Sequence, residues 1–261
     1  MAKRSLLRFD IHLADHCNLK CKSCLHFSPL APEVFQDITV LERDCKRLAE
    51  LTGGRVEDIC VLGGEPLLHP RITDCLDIAR KYFPEDRIYI VTNGILLLKQ
   101  PEEFWQNCVK NNIGIDISLY PIHLDLEKIK QTAMRHDIKI AFRGRPKVQR
   151  RGWSRQTLDL EGKQNAEESH RICELANFCI QLVDGKLYQC ETAAFVKYFN
   201  KYFHKNLEIT EKDYVGIHQE KSLDEILEFL CKPTPFCRYC NTAEVDCVEW
   251  EHSKEEISEW V

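Results

Sequence analysis

Cys17-Asn18-Leu19-Lys20-Cys21-Lys22-Ser23-Cys24 follows directly on a strand-like segment, and Gly63-Gly64-Glu65-Pro66 follows the next one. Three cysteines at C-x3-C-x2-C spacing in one short loop offer soft thiolates, the donor type that zinc and iron–sulfur clusters select. Three ligands leave the fourth corner of a four-iron cluster open to another molecule, whereas a structural zinc site is closed by four. His16 or His26 would be the closing ligand of a zinc knuckle here. The chain carries 14 cysteines. Disulfides are disfavoured inside cells, so in the default cytoplasmic compartment metal or redox chemistry becomes the leading explanation.

Outward from this loop the chain alternates. Residues 7–13 alternate polar and branched side chains, which predicts a strand, and residues 40–51 set Val40, Leu41, Cys45, Leu48 and Leu51 at helical spacing before Gly53-Gly54. Strands are expected at 58–62, 87–92, 113–119 and 138–142, and helices at 70–83, 101–111 behind Pro101, and 125–136. Five successive β/α units predict an α/β fold with a parallel sheet and right-handed crossovers, a partial (β/α)6 TIM-like barrel rather than a closed one. The pattern breaks after residue 143, which divides the chain into 1–150, the barrel, and 151–261, a small C-terminal appendage. There, 161–170 reads as loop, 179–190 as a β-hairpin turning at Asp184-Gly185, 222–231 as a helix capped by Ser222, and a polar helix is expected from about Ser253. This region shows little core of its own.

Charge and hydropathy exclude several classes. The 36 Lys and Arg against 41 Asp and Glu leave a net charge of −5, unsuited to general nucleic-acid binding. The longest aliphatic run, residues 95–98, is far short of the ~18 apolar residues of a membrane span. No apolar stretch follows the charged first residues, so no signal peptide is expected. The basic run 143–155 reads as a solvated face or as a contact for an anionic substrate.

The ordered motifs resemble the radical S-adenosylmethionine (SAM) superfamily over the whole barrel half. Gly63-Gly64-Glu65-Pro66 stands where that family binds the methionine amino group of SAM. Thr92-Asn93-Gly94 follows the third strand, Asp116, Ser118 and Tyr120 lie on or after the fourth, and Arg143 ends the fifth. All lie at strand C-terminal ends, the face on which barrel active sites assemble. The resemblance implies that Cys17, Cys21 and Cys24 hold a [4Fe–4S] cluster whose open iron takes SAM. It further implies that Gly63 and Gly64 admit the methionine closely, Glu65 accepts from its ammonium, Ser118 meets the ribose and Arg143 the carboxylate. Ser23 stands where the family often has an aromatic residue beside adenine, and His26 or Phe27 is the expected substitute. His69, like His26, stands beside a SAM motif.

In the appendage, Cys173-x11-Gly185-x4-Cys190 precedes Cys237-x2-Cys240, four thiols in two pairs that suit a closed four-ligand site. This arrangement resembles the auxiliary-cluster region of SPASM and twitch enzymes, which implies a second [4Fe–4S] cluster. Cys179 is the rival of Cys173, and a structural zinc is the alternative metal. Cys45, Cys60, Cys75, Cys108 and Cys231 read as small packing residues. Size and cysteine spacing resemble the aminocyclitol dehydrogenases of the twitch group. That implies oxidation of a small, sugar-like hydroxylated substrate, with Arg151 assisting proton loss, Glu191 holding a hydroxyl, and an electron donor such as flavodoxin or ferredoxin. Cys247 is a candidate hydrogen-atom donor for an epimerase. A peptide maturase is a second enzyme class, though the first strand begins too early for a preceding leader-binding domain. A zinc-stabilised binding module and RNA modification are the remaining readings.

Overall fold

A computed structural model describes residues 8–54, 56–143, 152–176, 178–220 and 222–261, with backbone alone at 152–156 and 246–248. Five strands alternating with four helices come first: β1 (Arg8–His12), α1 (Ile38–Thr52), β2 (Asp58–Leu62), α2 (Ile72–Tyr82), β3 (Arg87–Thr92), α3 (Glu102–Lys110), β4 (Ile113–Ser118), α4 (Leu126–Arg135) and β5 (Ile140–Arg143). The remainder is β6 (Gly152–Leu158), α5 (Ala166–Ile172), β7 (Gln181–Val183), β8 (Lys186–Tyr188), α6 (Glu191–Phe203), β9 (Tyr214–Gly216), α7 (Leu223–Leu230) and β10 (Cys240–Glu249). The fold is α/β, a partial TIM-like barrel around a mostly parallel sheet.

Strand parity explains the barrel. Phe9, Ile11, Ile59, Val61, Ile88, Ile90, Ile113, Ile115 and Ile117 share one face and pack with α1, α2 and α3 in a single apolar core. The opposite parity turns Asp10, Cys60, Tyr89, Asp116 and Ser118 to the concave side. In-register parallel pairs such as Ile11↔Val61, Ile59↔Ile88 and Ile90↔Ile115 hold this division across the sheet. The helix ends obey local rules: Asp37 caps α1 through Thr39 N and Val40 N, and Gly53 closes it in the left-handed region at φ 68°.

The sheet order is β5-β4-β3-β2-β1-β7-β8-β9. The sixth parallel strand is therefore β7, beside β1, and not the strand that follows β5 in sequence. The Asp184-Gly185 hairpin, β7–β8, thus continues the barrel sheet. The buried Gln181 donates to Asp10 Oδ2 at 2.8 Å across this junction, joining the two halves through a polar contact shielded from water. Strand β6 instead pairs antiparallel with β10.

Several expectations for the second half are corrected. Residues 161–170 are not all loop: Asn165 accepts from Glu167 N and Glu168 N at 3.0 and 3.1 Å and caps α5. No long polar helix follows Ser253, because Glu259 captures Lys254 N and Ser253 Oγ, each at 2.7 Å, and folds the segment into a loop with one short turn. The second half also has a core. Phe195, Phe199, Phe236, Tyr239 and Trp260 cluster with Phe27 and Leu30, which come from the three-cysteine loop. No helix among the described residues is long and apolar enough to cross a membrane.

Trp260 is 1% exposed and its indole Nε1 donates to Cys24 O at 2.9 Å. Trp260→Ala should cost about 3–5 kcal/mol, read as a lower denaturation midpoint. Trp260→Phe, which keeps most of the volume but loses the hydrogen bond, should cost less than half as much.

Candidate active site

The chain leaves β1 and returns as the three-cysteine loop over the C-terminal ends of the parallel strands. Ala14 bridges to Phe35 and Cys21 to His252, so the loop is held from both halves of the chain. Cys17, Cys21 and Cys24 line one cavity of about 210 Å³ together with His26, Ser28, Gly63, Gly64, Thr92, Asn93, Ser118, Tyr120 and Glu191. Burial pushes the Cys17 thiol up to about 12 and also raises Cys24. Buried thiols ionise when a cation compensates them, which is what iron or zinc supplies. The donor set thus fits a thiolate-bound metal centre. Among the described residues no three potential ligands are gathered at metal-binding distance.

The glycines of Gly63-Gly64-Glu65-Pro66 serve the protein's own chain first. A Cβ on Gly63 would lie 2.5 Å from Ala14 O, and one on Gly64 2.2 Å from His16 O. Gly64 N donates to Ala14 O at 2.6 Å. The turn therefore lies flat against the backbone that leads into Cys17, and it reaches the cavity from there. Glu65 is not a cavity-lining group. It is 0% exposed and accepts from Leu67 N at 3.1 Å, Thr92 Oγ1 at 2.6 Å and Asn93 N at 2.9 Å. Its carboxylate is a strut between the ends of β2 and β3. Burial outweighs these three bonds and raises its carboxyl to about 7. Pro66 opens a short 3-10 turn, Pro66–Leu68, and is buried away from the cavity.

Asn93 and Ser118 line the cavity. Arg143 does not line it; its guanidinium holds Asp116 Oδ2 at 2.9 Å. Ser23 donates to Glu259 O at 2.6 Å, so its hydroxyl docks the loop onto the 253–260 segment. Of the two expected substitutes for an aromatic at that position, His26 lines the cavity and Phe27 packs in the second core. Burial, with His12 adjacent, pushes His26 down to about 3, so it is a neutral ring. His69 bonds Gln36 O at 3.0 Å and is not among the cavity residues.

Glu191, the first residue of α6, sits in the cavity wall. Its Oε2 is buried and has no hydrogen-bond partner among the described residues, and burial raises its carboxyl to about 7. The Cys179 thiol is near enough for the two groups to influence each other's ionisation. The sequence carries no sign of that pairing. Arg151 lies outside the described residues. Cys247 stands in β10 opposite Ser154, with its side chain outside the description.

The residue before Glu191, Cys190, belongs to a second cavity. Cys173, Cys190, Cys237 and Cys240 line it with Gln189, Asp213 and Thr234, in a space of about 20 Å³. Cys179 is not part of it. Burial raises Cys173 and Cys190, and each feels the neighbouring thiols of the set. The donor chemistry fits a four-thiolate metal centre. Here too no three ligands stand at metal-binding distance among the described residues, so the donor chemistry and not the spacing points to a metal.

Glu65 gives a pH test with a definite sign. An acid raised to about 7 in the fold, from an ordinary value near 4.5, favours the fold below pH ~4.5. That contribution is lost as pH rises towards 7, because the folded state must then ionise a buried group. In Glu65→Gln the midpoint should vary less between pH 5 and 7, and at pH 5 stability should fall by about 1–3 kcal/mol through the lost bond to Asn93 N. Gly64→Ala should cost about 3 kcal/mol from its collision with His16 O. Both are read by thermal melts across pH.

Comparison with known proteins agrees with this architecture. GTP 3′,8-cyclase of Chlorobaculum tepidum is 36% identical over 125 residues, 48% of this chain and 36% of that protein. GTP 3′,8-cyclase of Syntrophomonas wolfei is 28% identical over 52% of this chain and 40% of its own length. The match thus spans little more than a third of these relatives. Among solved structures, BtrN in complex with AdoMet and 2-DOIA superposes with a TM-score of 0.54 at 15% identity, over 92% of this chain and 94% of that one, a likeness of fold. The profile of the Radical SAM superfamily matches residues 11–141, half of the chain, from β1 into β5 and across both the three-cysteine loop and the glycine turn. With that match laid over the cavity just described, the chain belongs to the radical SAM superfamily.

Proposed function

We propose that the chain is a radical SAM oxidoreductase that takes a hydrogen atom from a small hydroxylated, sugar- or cyclitol-like substrate. The proposal places a [4Fe–4S] cluster on Cys17, Cys21 and Cys24 and an auxiliary [4Fe–4S] cluster on Cys173, Cys190, Cys237 and Cys240. When bound, cluster and SAM together supply a 5′-deoxyadenosyl radical, and the auxiliary cluster supplies an electron acceptor. The observation that carries this reading is Glu191: a buried carboxylate oxygen without a partner among the described residues, in the wall of the SAM-motif cavity, one residue from a thiol of the second cavity. That oxygen accepts a substrate hydroxyl, which sets the carbinol carbon beside the wall nearest the auxiliary thiols. Ser118 and neutral His26 add hydrogen-bonding groups without charge. Arg151, from the basic run, is the group assigned to proton loss. Flavodoxin or ferredoxin is the assigned electron donor, and the barrel 1–150 and the auxiliary region 151–261 are the two functional units.

A second reading is redox-neutral inversion, in which the Cys179 thiol, a near neighbour of Glu191, would return a hydrogen atom to the substrate, a role that sequence alone gave to Cys247. The GTP-cyclising relatives match too little of their own length to bring their substrate to this chain.

Anaerobically reconstituted protein should bind about eight irons, four for each proposed four-iron centre, and form 5′-deoxyadenosine from SAM on reduction. Cys17→Ala/Cys21→Ala/Cys24→Ala should lose cleavage entirely while keeping the other metal. Cys237→Ala should lose iron and stability together, because that centre staples the second half. Four irons and one zinc would replace the auxiliary cluster with a structural ion. With a panel of aminocyclitols and polyols in deuterated water, oxidation yields a carbonyl product free of solvent deuterium at the reacting carbon. An inverted product carrying one deuterium, lost in Cys179→Ala, would establish inversion instead.

A further inference from the structure

The sulfur of Cys17 accepts two N–H groups, from Leu19 N at 3.4 Å and from the side-chain Nδ2 of Asn93 at 3.7 Å. The second is built with care. Asn93 is 5% exposed, and its backbone N is held by Glu65 Oε2 at 2.9 Å. Its Oδ1 accepts from Ile95 N at 3.0 Å, which settles the orientation of the amide, since an N–H donor there demands oxygen. The remaining group is therefore Nδ2, and it donates to Asn18 Oδ1 at 2.7 Å and to Cys17. Thr92 supports the same turn: it donates to Glu65 and accepts from Gly94 N at 3.0 Å. Every polar atom of Asn93 named here is committed to aiming one amide at one sulfur.

We propose that Asn93 is a positioning residue for redox chemistry: its amide hydrogen bond to Cys17 raises the reduction potential of the cluster held there. The inference rests on Cys17, Cys21 and Cys24 being that cluster's ligands. A cluster gains negative charge on reduction, and N–H donors at a ligating sulfur stabilise the more negative state. Asn93 is buried and Cys17 half-buried, so water screens this contact only in part. Glu65 fixes the backbone of Asn93, while its own charge acts on the Cys17 sulfur directly and in the opposite sense.

The test is a redox titration of the cluster signal that changes on adding SAM, in reconstituted wild type, Asn93→Leu and Asn93→Asp. Both variants are close in size to asparagine, and Asp keeps the acceptor for Ile95 N. At the wild-type midpoint, Asn93→Leu should show the ratio of reduced to oxidised cluster fall about threefold, a shift of ~30 mV for a one-electron couple. Asn93→Asp, which puts a carboxylate at the sulfur, should fall further. A purely structural role would lower iron content and leave the midpoint of the loaded fraction where it was; that result overturns the proposal. Should neither variant load iron, wild type settles the matter: with 15N-asparagine labelling, pulsed paramagnetic resonance of the reduced cluster should show an asparagine side-chain nitrogen, retained in Asn18→Ala. Its absence overturns the proposal equally. A SAM-responsive signal that survives in Cys17→Ala shows instead that the ligand reading has failed.

Discussion

Burying the carboxylate of Glu65 is the constraint on which the site depends. A charged group without solvent must be satisfied by the protein, and here three donors from two neighbouring strand ends do so. The consequence is mechanical. The turn after β2 and the turn after β3 become one unit, and that unit is pressed onto residues 14–16 through Gly63 and Gly64. Because residues 14–16 lead directly into Cys17, the first thiol is placed by the same contacts. Asn93, held by Glu65, then reaches back to that thiol. The family's glycine-rich signature therefore acts here through the packing of three loops as much as through approach to a ligand.

The second organising feature is the start of α6. Cys190 and Glu191 are neighbours in the chain, yet one lines the four-thiol cavity and the other the SAM-motif cavity. Backbone geometry makes this possible: Cys190 is extended at the N-cap position, φ −155° and ψ 161°, and Glu191 begins the helix. A single peptide link thus joins two sites that the sequence places far apart from one another's other residues. The same turn carries the hairpin, whose β7 completes the parallel sheet at β1.

The two halves are not independent in packing. Phe27 and Leu30, from the three-cysteine loop, are core residues of the second half, and Trp260 holds Cys24 by its carbonyl. Ser23 adds a bond to Glu259 O. Ser253 N donates to Lys20 O at 2.8 Å and Lys20 pairs with Glu255 at 2.9 Å, so loss of order in residues 253–260 is felt at the three-cysteine loop through packing, hydrogen bonds and one ion pair.

Local pattern alone determined the barrel half of this protein. Period-two strands and helical apolar spacing set five strands and four helices with ends within about two residues of those observed, because each element buries one face on the next and its ends are marked by Gly, Pro or Asp. The three cysteines and the glycine turn were legible for the same reason: they lie close in sequence and their spacing is the chemistry. Only the tertiary structure decided the rest. It placed β7 beside β1, paired β6 with β10, and chose Cys173 over Cys179 for the four-thiol cavity, since these depend on contacts between residues far apart in the chain. It turned Arg143 to Asp116 across neighbouring strands and the buried Glu65 to its own neighbours, because a charge takes the nearest partner the fold supplies, and no sequence spacing records which one that is.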